Sequence, residues 1–186
     1  MAEGPVLVER PGEGIAKLTL NNPPLNLVTL EISMACDLRI TGEGARFALP
    51  EVRIGVVPGS GGLFRLPELV GPARAMELMY LGESIDACEA ERLGLVNEVV
   101  PDGEALPLAL DVARSVSRQP KEAVAVIKRG VRESLHSGRE DSVRLTLELS
   151  DHLFRTEDCA EGILAFFEKR EPRFAGAPGT GDEVEV

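Results

Sequence analysis

The periodicity of this chain changes once, and VPGSGG at residues 57–62 marks the change. Before that run, apolar residues stand in short stretches broken by proline and glycine. After it they recur at helical spacing. Gly59, Gly61 and Gly62 strip side chains from a strand-to-helix turn and leave several backbone N–H groups unencumbered ahead of the apolar LFRL. N–H groups so placed, with a helix dipole behind them, attract negative charge or hold an oxygen atom. A tight turn with no ligand needs the same glycines. No lysine and hydroxyl residue follow in GK[ST] order, so this is not a Walker phosphate loop.

Ahead of the turn, VLVER (6–10) and IAKLTL (15–20) read as a hairpin joined by Pro11-Gly12-Glu13-Gly14, and NNPPLN (21–26) ends the second strand. LEISMACDLRI (30–40) is apolar on most sides, as a buried helix would be, and ARFAL (45–49) reads as a strand. Beyond the turn, Gly71-Pro72 opens a helix that Gly82 closes. Asp86 and Glu89 have capping-box spacing, and Gly94 stops the short helix between them. GLVNEVVP is extended and closed by Pro101. Four amphipathic helices follow: Leu106, Ala109, Leu110 and Ala113; Val124, Ile127, Val131 and Leu135; roughly 139–155; and Ala160, Ile163, Leu164 and Phe167. Their apolar faces need a partner surface. The tail AGAPGTGDEVEV (175–186) is small, polar and acidic, a composition expected to be disordered.

At 186 residues and 44% hydrophobic, the chain suits one domain with a small appendage. Its 31 acidic residues against 20 basic ones leave no footprint for a nucleic-acid backbone, so an anionic ligand must be held by a local basic group. Cys36, Cys88 and Cys159 form no CxxC pair, which argues against a zinc ribbon or a disulfide framework and suits a reducing compartment. With no signal-like start and no apolar run of membrane-spanning length, a cytoplasmic protein is expected.

Two acids are out of character. Glu51 follows Pro50 in apolar surroundings, and Glu31 sits on the apolar LEISMACDL. Burying an unpaired charge costs several kcal/mol. A lone glutamate after a proline is more often solvated than catalytic. Two such acids can instead share one water, one taking a proton while the other gives one. Asp37 is read as a structural partner of Arg39 or Arg46, His136 and His152 as surface residues, and Arg65 and Tyr80 as structural. FFEKREPRF (166–174) gathers Lys169, Arg170 and Arg173 beside aromatic residues: either dipole-matching cations at a helix C-terminus or a phosphate or adenine contact.

ACDLRITGEGARFALPEVRIGVVPGSGGLFRLPELVGPARAMELMYLGESIDACEAERLGLVNEVVP (35–101), with EGILAFFEKREPRF (161–174), resembles the enoyl-CoA hydratase/isomerase (crotonase) family. LTLNNPPLN (18–26) resembles that family's opening strand and turn. The resemblance implies an α/β fold of crotonase type: a β-β-α spiral core over residues 1–102, shortened near 27–31, and a helical region at 103–174 used for trimer contacts. It implies an acyl-CoA thioester as substrate, coenzyme A being part of that substrate with no separate cofactor and no metal. A homotrimer or a dimer of trimers is expected, with neither nucleic acid nor membrane as partner.

By the same resemblance Glu51, in the PE element, and Glu31, six residues before Asp37, are the acid/base pair. Gly59 lends a backbone N–H to the catalytic water, and Phe166 and Lys169 lie near the CoA nucleotide. The implied reaction is hydration of a 2,3-enoyl thioester; isomerisation, another CoA-thioester conversion, or a silent assembly subunit are the alternatives. Several dozen family residues are missing between NNPPLNLVTLE and ISMACDL, and Val28, Thr29 and Leu30 stand where a glycine run belongs. The missing segments carry the two backbone donors of the oxyanion hole, and one such donor is worth on the order of 3 kcal/mol of barrier. The LE dipeptide also lets Glu31 be read as part of the family's opening helix. Omitted residues of a longer protein, a true deletion, and a non-catalytic relative all fit the gap. Stripping strands from a packed core exposes apolar surface, which favours omission over deletion.

Overall fold

The computed structural model describes residues 6–12, 14–20 and 29–175. The chain divides into two compact units, Met1–Glu9 with Leu18–Asp111 and Arg10–Lys17 with Val112–Val186. Strands β1 (Val6–Gly12) and β2 (Ile15–Leu20) form a two-stranded sheet. β1 runs on through Pro11 and Gly12, past the expected VLVER boundary. In a two-stranded sheet every strand is an edge, where the missing proline donor does no harm. NNPPLN and the acidic tail from residue 176 lie outside the described residues.

In the first unit, α1 (Thr29–Met34) ends well short of the expected residue 40. Its last turn closes with Ala35 N donating to the Ile32 carbonyl and Cys36 N to the Ser33 carbonyl. Arg39 then leaves for a distant partner. Its N–H donates to Asn97 Oδ1 at 2.7 Å, and Asn97 N–H donates back to the Arg39 carbonyl at 2.7 Å. The exchange starts a parallel ladder between β3 (Ile40–Gly42) and β6 (Glu98–Val100), with Ile40 opposite Glu98 and Gly42 opposite Val100. Arg39 Nε also donates to the Leu95 carbonyl and Nη1 to the Cys36 carbonyl. Burial pushes the Arg39 guanidinium below its usual pKa, while Cys36 and Asp37 oppose that shift. So Asp37 acts on Arg39, one of its two expected partners; Arg46 stands 4.0 Å from Asp86 instead.

The extended part of ARFAL is only β4 (Arg46–Phe47), antiparallel to β5 (Ile85–Asp86). Three helices accompany these strands: α2 (Gly62–Val70) and α3 (Pro72–Leu81), which pack on each other, and α4 (Ala87–Arg92), which packs on β4, β5 and β6. Their ends follow local chemistry. Pro72 opens α3, Gly82 closes it with φ 59°, and Asp86 caps α4 by accepting from Glu89 N–H at 2.9 Å. Met34, Leu49, Leu66, Ala75, Ala90, Leu95 and Val96 form the buried core of this unit.

Apart from the strand residues within Arg10–Lys17, the described part of the second unit is mainly helical. α5 (Ala105–Ser117) crosses the unit boundary, and α6 (Lys121–Ser134), α7 (Arg139–Phe154) and α8 (Glu157–Glu168) follow. All four match the apolar spacing. α6 packs on α7, where His152 Nε2 lies 2.5 Å from Glu122 Oε1. Both histidines are exposed. α5, α6 and α7 bury no residue, and Ile127, Val131, Leu147 and Phe154 are all more than half exposed. Among the described residues no helix is long and apolar enough to cross a membrane.

Replacing Asp86 by alanine removes the α4 cap and should lower unfolding free energy by about 1 kcal/mol. Urea denaturation of the variant checks this; an unchanged midpoint would mean that the cap contributes nothing.

Candidate active site

Glu31 lies on α1 and is 3% exposed, a burial that an unpaired carboxylate would not tolerate. Its compensation comes from the glycine turn. Ser60 N–H donates to Oε1 at 2.8 Å and Gly62 N–H donates to the same oxygen at 2.9 Å. Helix α2 has Gly61 at its N-cap, no side-chain cap of its own and no acid in its first turn. Glu31 therefore does for α2, from another helix, what a capping residue does from within. The negative charge expected at VPGSGG is a side chain of the protein itself.

Backbone geometry makes this contact possible. Gly61 has φ 111°, a left-handed conformation that disfavours side chains. A Cβ on Gly62 would lie 2.5 Å from Pro58 Cβ and 3.2 Å from Glu31 Oε1, so only glycine brings the amide this close. Pro58 is buried beneath it.

Glu51 has a different setting. It opens a single 3-10 turn, Glu51–Ile54, after Pro50, and its carbonyl accepts from Val56 N–H at 3.2 Å. The carboxyl oxygen Oε2 is buried with no hydrogen-bond partner among the described residues. Buried polar atoms are nearly always paired, and leaving one unpaired costs about 1–3 kcal/mol. Gly59, on the same loop, is exposed, and a Cβ there would meet only the Val57 carbonyl oxygen at 3.9 Å. Among the described residues its amide makes no hydrogen bond.

Glu31, Glu51 and Gly59 all belong to the first unit. Phe166 and Lys169 belong to the second, at the end of α8. Phe166 is 80% exposed and meets Phe167 edge to face at 5.9 Å. Lys169 is the one non-glycine residue among those described with positive φ, 52°, and it ends α8 in the left-handed region. That conformation costs a residue with a Cβ roughly 1–2 kcal/mol. Its neighbour Arg170 is paired with carboxylates. Nη1 reaches Glu161 at 2.6 Å and Nε reaches Glu168 at 2.6 Å, while Arg173 N–H donates to Glu161 at 2.7 Å. Glu161, Arg170 and Arg173 line an open cavity of about 570 Å³ together with Glu157, Asp158 and Ala175.

One participant was missed in the sequence. Arg65, read as structural with no partner, reaches back over the turn, where Nη1 donates to the Ser60 carbonyl at 3.0 Å. Its guanidinium also lies 4.6 Å from the Phe64 ring centroid. The available signal was its place in the first turn of the helix that VPGSGG opens.

The family model for enoyl-CoA hydratase/isomerase matches residues 29–177. This chain belongs to the enoyl-CoA hydratase/isomerase family. The match opens at α1, so LTLNNPPLN lies ahead of it. The chain is 42% identical over 144 residues to a probable enoyl-CoA hydratase of Mycobacterium leprae, covering 77% of this chain and 56% of the relative. It is 39% identical, over 77% of its length and 55% of the relative, to a crotonyl-CoA hydratase of Syntrophomonas wolfei. The crystal structure of an enoyl-CoA hydratase from Bacillus anthracis superposes with a TM-score of 0.76 at 35% identity, over 79% of this chain and 57% of that one. The fold is thus the mixed α/β crotonase fold with a helical C-terminal region. This member of the family spans little more than half the length of these curated relatives.

The C-terminal clamp has a pH signature. Hydrogen bonds from the Arg170 side chain, and then from Arg173 N–H, hold the Glu161 carboxyl down at about 2, and Arg170 is correspondingly pushed up. A carboxyl lowered in the folded state stabilises it fully above the ordinary carboxylate range. That contribution disappears as pH falls from about 4.5 to about 2. Carbon NMR should find the Glu161 carboxyl titrating near 2, and shifted up toward the ordinary range in Arg170→Gln, with Arg173 N–H still holding part of the lowering; an ordinary value in the native protein would refute the clamp.

Proposed function

We propose that this chain hydrates a 2,3-enoyl-CoA thioester, with Glu51 and Glu31 acting on one water. The observation that carries the reading is the unlike setting of the two carboxyls. Glu31 Oε1 accepts from two main-chain donors, and Glu51 Oε2 is buried with no partner among the described residues. A buried, unsatisfied carboxyl oxygen suits a site that an added water or substrate completes. One carboxylate removes a proton from water as the water oxygen bonds to C3. The other carboxyl delivers a proton to C2, so the double bond is consumed and a 3-hydroxyacyl thioester results. The exposed Gly59 amide is available to hold that water. No separate cofactor enters this scheme.

Phe166 and Lys169 are assigned to the nucleotide end of coenzyme A. In support, Lys169 keeps a left-handed conformation despite its cost, and backbone outliers of this kind cluster at functional positions. The exposed apolar faces of α6, α7 and α8 support a homotrimer, whose subunit contacts would cover Ile127, Val131 and Ile163.

A second reading has its own observation. α1 begins at Thr29, so Thr29 and Leu30, which stand where the resemblance puts a glycine run, are helical instead. A subunit without oxyanion donors would bind acyl-CoA and assemble without turning it over.

Crotonyl-CoA distinguishes the readings. Loss of the conjugated thioester absorbance is expected, and Glu51→Gln should slow it by about 10²–10⁴-fold. Undiminished hydration by that variant would remove Glu51 from the mechanism, while coenzyme A binding without turnover would favour the silent subunit. Sedimentation should give three times the 20.0 kDa chain mass, or six times for a dimer of trimers; a monomer would defeat the trimer assignment.

A further inference from the structure

Three successive peptide units build the turn that holds Glu31. The first carries Ser60 N–H and the third carries Gly62 N–H, the two donors to Oε1. The middle unit carries the Ser60 carbonyl, which receives Arg65 Nη1 at 3.0 Å. The carbonyl of the third unit, on Gly61, receives Arg65 N–H at 3.0 Å. Arg65 thus grips two of the three units, through its main chain and through its side chain.

The grip is close. A Cβ on Gly61 would lie 1.7 Å from Arg65 Nη1, so the guanidinium packs directly over the glycine in the left-handed conformation. Glycine has the least intrinsic preference for that conformation over others, and something outside it must hold the turn. A charge-assisted hydrogen bond to the middle carbonyl does so. Phe64 supports the guanidinium from its own ring face.

We propose that Arg65 is a positioning residue: by fixing the Ser60–Gly62 turn it fixes the Glu31 carboxylate at the place where hydration requires it. The proposal rests on the hydratase reading for its kinetic consequence and on the geometry alone for its structural one. Arg65 touches neither carboxylate and acts through the turn. Misplacing a reacting group by an ångström typically costs on the order of a hundredfold in rate, whereas substrate binding elsewhere is unaffected.

The test compares the native protein with Arg65→Met, which keeps the aliphatic body and removes the donor. With crotonyl-CoA, kcat should fall roughly ten- to a hundredfold with little change in KM. Amide hydrogen exchange, read by NMR without substrate, should quicken by roughly tenfold at Ser60 and Gly62 but not at core amides such as Ala75. Arg65→Lys should restore part of both. Unchanged exchange at Ser60 and Gly62 overturns the proposal whatever the rates. So does faster exchange with kcat unchanged, or a rise in KM alone, which would make Arg65 a substrate contact. If the native protein hydrates nothing yet Arg65→Met quickens those two amides, the hydratase reading falls and the positioning of Glu31 stands. Should Arg65→Met fail to fold, Arg65→Lys carries the test: smaller changes of the same kind support the proposal and their absence overturns it.

Discussion

Two hydrogen bonds from the α2 N-terminus to one oxygen of Glu31 make the first unit possible. α1 has only six residues, too few to persist alone in water. It is held at one end by Met34 in the core and along its length by this carboxylate. Without the two donors, Glu31 would bring an uncompensated charge into the core, at a cost of several kcal/mol. The bond from Gly62 also satisfies a donor that α2 leaves open. One interaction therefore orients both helices, and it explains why the turn tolerates no side chain at Gly62.

Glu51 stands as the counterpart. Nothing among the described residues satisfies its buried Oε2, so it weakens the fold where Glu31 strengthens it. Lys169 at the end of α8 carries a second such cost, in its left-handed backbone. The contrast between a satisfied and an unsatisfied carboxyl within one unit says more about function than either acid does by itself.

Features set by neighbouring residues were legible in the sequence. Gly71-Pro72 and Gly82 bounded α3, Asp86 and Glu89 gave the α4 cap, and apolar spacing gave the four later helices. What failed to read was what depends on distant partners. α1 stopped early because Arg39 exchanges hydrogen bonds with Asn97, 58 residues away, and no local pattern announces a parallel pairing. At the site, the odd placement of Glu31 and the donor character of VPGSGG were both visible, but not that each answers the other. Arg65 was invisible for a similar reason: its reach to Ser60 exists only once Gly61 has turned left-handed.

The pairing of β3 with β6 has a practical corollary. These are three-residue strands in a sheet of two, so among the described residues each has a single strand neighbour, and on β6 the Val99 N–H also donates to Glu91 Oε1 at 3.1 Å. Sheets this small are marginal, and open edges recruit strands from other molecules. The Arg39–Asn97 exchange at the head of the pair and Asp102 accepting from Gly44 N–H just beyond its end act as clips. Concentrated stocks of this protein should therefore be most prone to clumping under conditions that loosen those clips, long before the helices melt.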